Sequence, residues 1–332
     1  MTGVETRTVD KADDGQRLDR WFKRHYPALS YGRLAKLLRT GQIRLDGKRA
    51  KPASRVATGQ EVRVPPLPDD AQDSQASERA PKPGAPQPTA QDIAEIKGRV
   101  LYRDDWLIAL DKPAGLATQG GSKVGRNLDA MLDVLAEPGG ERPKLVHRLD
   151  KDTSGVLLLA RSTQAANGLT RAFRDHTTRK LYWALTAGVP KPDEGRIDLP
   201  LAKLKRGGGE KMGHDPKDGK PASTSYRTLM TWGRTVGWVA LSPLTGRTHQ
   251  LRAHLQEIGA PVLGDAKYAA RAAFPQGIAV EQLMLHAREI ALPHPGDGTT
   301  LRIQAPLPAH MAAAFQQLGF DPMQGDGVYP DG

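Results

Sequence analysis

Apolar residues return at the helical interval near the start of the chain. Leu18, Trp21, Phe22 and Tyr26 fall at i, i+3, i+4 and i+8, the spacing of one helix face. Pro27 ends that run. Ser30 is placed to cap a second helix carrying Leu34, Leu37 and Leu38, which Gly41 stops. The period then changes to two at Ile43 and Leu45. Asp46-Gly47 is a hairpin-turn pair, and Val62 and Val64 predict a closing strand. Residues 16–66 therefore predict a small two-helix domain with a hairpin, preceded by a polar arm at 1–15. Seven prolines between Pro65 and Pro88, among Ala, Gln, Asp and Ser, predict an extended linker over 67–92.

A second domain is expected over 93–320. Val100 to Tyr102 and Trp106 to Leu110 predict strands, the second broken by Asp111-Lys112-Pro113-Ala114-Gly115. Leu128, Met131, Leu132 and Leu135 predict a helix from Asn127 to Ala136. Leu145-Val146 and Val156 to Ala160 predict buried strands, with Asp152-Thr153-Ser154-Gly155 as the turn between them. Thr163 to His176 predicts a helix with Ala166, Leu169 and Phe173 inward. Arg179 to Leu185 predicts a strand in which Lys180, Tyr182 and Ala184 share one face. Residues 203–223, rich in Gly, Lys and Pro, predict a long basic loop. Thr224 to Leu229 and Val236 to Leu241 read as paired strands, and Thr245 to Leu255 as a tight turn entering a helix. Residues 321–332 read as a loose tail. Strands and helices that alternate irregularly, with hairpin links, predict an α+β fold: a mixed, largely antiparallel sheet flanked by helices.

Charge changes the picture of the first domain. Residues 16–66 hold thirteen Lys and Arg against three Asp and Glu, a net of +10 out of the chain's +11. Such a concentration is the electrostatic footprint of a phosphate-backbone binder. An anionic membrane surface is the competing partner. Here the basic residues are spread over a folded unit with turns, which favours RNA. Arg17, Arg20, Lys23, Arg33, Lys36 and Arg39 fall on the polar helix faces and are the candidate phosphate contacts.

The chain has no cysteine, which excludes disulfides, thiolate nucleophiles and Cys-based zinc sites. His249 and His254 lie five apart with no carboxylate beside them, so no metal is expected. Gly120-Gly121 does not follow the dinucleotide pattern. No apolar run of about 18 residues and no charged-then-apolar leader is visible. No membrane association and a cytoplasmic location are expected.

Asp150 stands between two predicted strands with Arg148 and Lys151 beside it. Rigid elements on both sides are where catalytic groups tend to be held. A nearby cation favours the ionised carboxylate, which can then act as nucleophile or base. For an arbitrary Asp in such a turn, a structural ion pair is the competing account. The run His147-Arg148-Leu149-Asp150-x-Asp152-Thr153-Ser154-Gly155 resembles the signature of the RluA-type pseudouridine synthases, which isomerise uridines in structured RNA. Lys112-Pro113-x-Gly115, Gly246-Arg247-x-His249-Gln250-Leu251-Arg252, Gly259 to Tyr268 and Leu285-His286-Ala287 are similar to further motifs of that family. The segments 17–19, 38–48 and 59–64 resemble an S4 RNA-binding domain.

The resemblance implies roles. Asp150 would be the essential carboxylate. Tyr182 would stack on the uracil and help remove the C5 proton. Arg252 would pair with Asp150. Arg148 would fill the space left by the flipped base, and Arg247, His249 and Gln250 would line the RNA surface. No cofactor is implied. Within the family, the S4 domain and Gly120-Gly121-Ser122 look most like enzymes of the bacterial large ribosomal subunit. The expected partner is then large-subunit ribosomal RNA, or a pre-ribosomal particle, met by a monomer. A transfer-RNA synthase and a non-catalytic RNA-binding assembly factor are the alternatives. A glycoside hydrolase using Asp150 and Asp152 is disfavoured, because carboxylates two apart do not by themselves flank a sugar.

Overall fold

Leu18, Trp21, Phe22 and Tyr26 do turn inward together. In the computed structural model, residues 4–67, 88–120, 126–206, 209–269, 278 and 280–330 are described. The chain divides into two units, 1–85 and 86–332. The first runs β1 (Glu5–Thr8), α1 (Leu18–His25), α2 (Tyr31–Arg39), β2 (Arg44–Leu45), β3 (Lys48–Arg49) and β4 (Glu61–Val64). The α1 side chains pack on Leu34, Leu38, Ile43, Val62 and Val64. Ser30 Oγ caps α2 by accepting from Arg33 N at 3.4 Å. Asp46 and Gly47 have φ of 47° and 72°, as a two-residue turn twisted to suit the strands requires.

The expected N-terminal arm is instead part of this unit. β1 pairs antiparallel with β4, from Glu5↔Val64 to Thr8↔Glu61. It is an edge strand of four polar residues, held by its backbone, so no apolar alternation marks it. Buried Asp13 reinforces the tie by accepting from Arg24 at 2.7 Å and meeting His25 Nε2 at 2.5 Å.

Most of the expected linker, residues 68–87, lies outside the described residues. Its last part is helical: α3 (Ala90–Gly98) starts at Thr89, whose hydroxyl accepts from Asp92 N while the Asp92 carboxylate accepts from Thr89 N. That reciprocal cap is a sequence signal inside a Pro-rich context.

The second unit continues with β5 (Val100–Arg103), β6 (Leu107–Lys112), β7 (Lys144–Leu145), β8 (Ser154–Ala160), α4 (Thr163–Arg174), β9 (Arg179–Ala187), β10 (Glu194–Asp198), β11 (Leu201–Arg206), β12 (Gly209–His214), β13 (Ser223–Trp232), β14 (Val236–Pro243), α5 (Gln250–Glu257), β15 (Leu285–Pro293), β16 (Thr300–Gln304) and α6 (Ala309–Leu318). A ten-stranded sheet has the order β10-β13-β14-β9-β15-β8-β6-β5, with β16 on β15 and β7 on β8. Among the described strand pairs of this sheet, β8 with β15 is parallel and the rest are antiparallel. The expected α+β class and mixed, largely antiparallel sheet are therefore what the chain forms. β8 is buried along its whole length, which is why it reads as one apolar run. On one side Trp183, Trp238 and Phe315 interlock, with ring centroids 4.8–4.9 Å apart at the closest.

The expected helix over 127–136 forms, as a 3-10 helix at Asp129–Leu135, with Leu128, Met131, Leu132 and Leu135 all buried. Two expectations change. Within 203–223, much of the expected loop is the β11–β12 hairpin, registered from Leu201↔His214 to Arg206↔Gly209. Its apolar contacts are few, Leu201 and Met212 packing by Ala222, Ala253 and Tyr268, so no alternation marked the strands. The C-terminal segment is not loose. Tyr329 is buried and donates to Glu289 Oε1 at 2.8 Å, and Gly325 sits against Trp238. Single anchors in a short segment leave no periodicity to read. Among the described residues no helix is long and apolar enough to cross a membrane.

The parallel junction is sterically unforgiving. Gly155 has φ of +108°, and a Cβ there would lie 2.2 Å from the Ala287 carbonyl oxygen. Gly155→Ala should therefore destabilise the protein by about 3 kcal/mol or more, read by urea denaturation. A loss under about 1 kcal/mol would show that the β8–β15 junction relaxes easily.

Candidate active site

Asp150 lies in the segment between β7 and β8, and the backbone around it is fastened from three directions. His147 Nε2 accepts from Leu158 N at 2.8 Å, and its ring packs on Phe173 at 4.7 Å. Burial pushes the imidazole pKa down to about 3, so it is neutral, as an accepting Nε2 requires. Leu149 meets Thr118 through both backbone groups: its N–H donates to Oγ1 at 3.3 Å and its carbonyl accepts from it at 2.7 Å. The Lys151 carbonyl accepts from Lys112 Nζ at 3.1 Å. Lys112 is buried and also donates to the Pro113 and Leu116 carbonyls, both at 2.8 Å. Burial drags its pKa to about 7, against the opposing pull of Asp152, Asp150 and Asp111. Thr153 N closes the turn onto the Asp150 carbonyl at 3.2 Å.

The half-buried Asp150 side chain lines a cleft of about 590 Å³ that also takes in Arg148, Lys180, Tyr182, Arg247 and Arg252. Among the described residues lining it, Asp150 is the sole carboxylate, against five Lys and Arg. Tyr182 faces the cleft from β9, as alternation predicts. Burial, and then the charge of Asp150, push its phenol well above the usual tyrosine range.

Arg252 reaches the cleft from α5, but its expected pairing is overturned. Its Nε and Nη2 donate to Asp265 at 2.6 and 2.7 Å, both partners buried. Asp265 Oδ1 also accepts from Lys267 N at 2.9 Å and Tyr268 N at 3.1 Å. A bidentate geometry with a preorganised carboxylate holds the guanidinium there. Burial opposes the Arg252 charge, but Asp265, with a further contribution from Asp150, holds its pKa above the ordinary arginine value. Asp150 thus acts on Arg252 through space.

The other candidates separate. Arg148 and Arg247 are exposed at the cleft, Arg247 also donating to the Pro221 carbonyl at 3.0 Å. Gln250 lines the cleft with its amide engaged inside the protein. Its Oε1 accepts from Thr245 Oγ1 at 2.7 Å and Arg247 N at 3.0 Å, and its Nε2 donates to the Ser223 carbonyl at 2.8 Å and Thr224 Oγ1 at 3.0 Å. It braces the turn that carries Arg247. His249 is set aside from the cleft lining, with Nδ1 at 3.1 Å from the Tyr268 hydroxyl. In the first unit Arg20, Lys23, Arg33, Lys36 and Arg39 are exposed on α1 and α2, and Arg17 is paired with Asp19 at 2.6 Å.

Residues 106–257 match the family model described as RNA pseudouridylate synthase. The chain is 33% identical over 319 residues to ribosomal large subunit pseudouridine synthase C of Vibrio cholerae, covering 96% of this chain and 98% of that protein. The protein of that name from Rickettsia prowazekii is 35% identical over 292 residues, 88% of this chain and 94% of its own length. This chain belongs to the RNA pseudouridylate synthase family. A solved structure titled human RNA pseudouridylate synthase domain containing 4 is 29% identical and covers 69% of this synthase and 96% of its own chain, with a TM-score of 0.57.

Four residues of the synthase escaped the sequence reading. Asp265 and Tyr268 sit in the Gly264-Asp265-x-x-Tyr268 run, and Lys112 in Lys-Pro-x-Gly; both runs carried a resemblance without a task. Lys180 had only its face assignment. Nothing in spacing shows that position 265 returns to position 252.

Removing Asp265 strands a buried guanidinium. Asp265→Ala should cost about 3–5 kcal/mol of stability, read by denaturation. Replacement of both partners, Arg252→Met with Asp265→Leu, should recover part of that loss; no recovery would mean that the pair is not the source of the effect.

Proposed function

We propose that this synthase converts uridine to pseudouridine in large-subunit ribosomal RNA, with Asp150 as the essential carboxylate. One observation carries the reading of the site: a single carboxylate, its backbone pinned on three sides, shares with an aromatic ring a cleft whose Lys and Arg outnumber it five to one among the described residues. The reaction breaks C1′–N1, joins C1′ to C5 and leaves N1 with a hydrogen in place of the one lost from C5. An ionised carboxylate can attack the nucleoside or take that proton. Extracting the base from its stack costs a few kcal/mol, and stacking on Tyr182 returns roughly 1–3 kcal/mol. The raised phenol pKa disfavours a phenolate, so the platform role is the one its surroundings support over abstraction of the C5 proton.

Arg252, fixed by Asp265, holds a positive charge in the cleft that Asp150 lines. Arg148 at the cleft mouth fills the gap left by the extruded base, and Arg247 meets the RNA backbone. The first unit acts as an S4-type module. Its α1 and α2 cations hold phosphates without reading sequence. The two relatives' shared name, over nearly the whole chain of the first, supports the large-subunit substrate. The protein works as a monomer in the cytoplasm.

Nucleotide-resolution pseudouridine mapping of ribosomal and transfer RNA tests this, in cells lacking the protein and rescued with wild type or Asp150→Asn. Large-subunit sites should disappear and return with wild type only; the purified variant should lose at least about 10³-fold in turnover and under about threefold in RNA affinity. Loss confined to transfer RNA would overturn the substrate, and rescue by Asp150→Asn the role of the carboxylate. Deletion of residues 1–66 should flatten the salt dependence of RNA binding, because much of the phosphate neutralisation goes with it. An unchanged slope would place the electrostatics in the second unit.

A further inference from the structure

Lys180 stands in the catalytic cleft without a task. It lies two residues before Tyr182 on the same face of β9, about 6.6 Å along the strand, and both side chains line the cleft. It is half-buried, and among the described residues no acidic side chain offsets that burial, which lowers its amine to about 8. The cleft's other inner cation, Arg252, is balanced by Asp265. The charge of Lys180 is felt by the His147 imidazole, which lines the same cleft.

Partly burying a cation without a partner is unfavourable unless something supplies the opposite charge. The substrate can. Uracil and ribose are neutral at neutral pH, so the anionic groups that a target uridine brings into the cleft are its phosphodiesters. We propose that Lys180 binds a phosphodiester flanking the target uridine, holding its sugar at Asp150 while the base lies on Tyr182. This rests on the functional reading above and adds to it a grip on the extruded nucleotide itself. Arg148 and Arg247, exposed at the cleft, meet the surrounding strand; Lys180 takes the phosphate that travels inward.

The test compares wild type, Lys180→Met, which keeps the apolar stem, and Lys180→Arg on an unmodified large-subunit ribosomal RNA transcript between 50 and 200 mM KCl, roughly the range over which phosphate contacts are lost. Lys180→Met should raise KM by about tenfold and change kcat by less than about threefold, with thermal unfolding unchanged. Its log–log salt slope should fall by about 0.7–0.9, one phosphate's worth. Lys180→Arg should restore most of the loss. In a ligated transcript with one methylphosphonate beside the target uridine, wild type should lose about tenfold at one of the two flanking positions, and Lys180→Met nothing further there. An unchanged salt slope, additive losses at both positions, or a fall in kcat with KM unchanged would overturn the proposal. The slope is also read from equilibrium binding of the same transcript. A reduced slope there, with no pseudouridine formed by wild type, would keep the phosphate contact and sink the reaction; an unchanged slope would sink the contact whatever the turnover.

Discussion

An essential carboxylate, the role proposed for Asp150, has to be open to substrate and yet unable to wander. The fold meets both demands by fixing the backbone and leaving the side chain to the cleft. Leu158 holds the segment through His147, Thr118 through Leu149 and Lys112 through Lys151, and these anchors come from different parts of the second unit. Each is a hydrogen bond to a buried or half-buried partner, where an unmade bond is expensive. Lys112 shows how far this goes: a buried amine gives three bonds to main-chain carbonyls and none to a carboxylate, so its work is to hold the chain in place. The parallel β8–β15 junction, with Gly155 packed against Ala287, sets where β8 begins and hence where the pinned segment ends.

A second fixed charge faces the first. Buried ion pairs add little net stability, because desolvation offsets the attraction. What Arg252–Asp265 supplies is position. Four donors converge on Asp265, so the guanidinium has one place to be.

The two units carry similar net charge, +6 over 1–85 and +5 over 86–332, but concentrate it differently. In the first, residues 16–66 hold +10; in the second, the cleft is itself cationic, with five Lys and Arg around one Asp. Some carboxylates of the second unit are buried against partners, Asp265 against Arg252 and Glu289 against Arg302 and Tyr329. Exposed cations on α1 and α2 suit capture of a long polyanion at range, while Lys180 and its neighbours act only on what enters the cleft.

Much of this was legible in the residues. The α1 and α2 spacing, the Asp46-Gly47 turn and the continuous apolar run of β8 each announce their structure, because a helix face, a left-handed turn and a doubly covered strand impose local patterns. The motif run around Asp150 marked the carboxylate, and alternation put Tyr182 on the cleft face. Elements held by backbone bonds or single anchors left no such trace: β1, the β11–β12 hairpin and the Tyr329 segment. The choice of Arg252's partner, the internal use of Gln250 and the unbalanced charge of Lys180 were decided only by the tertiary structure. Local patterns record which way a side chain faces. Which charge it meets depends on segments that the chain brings together from far apart.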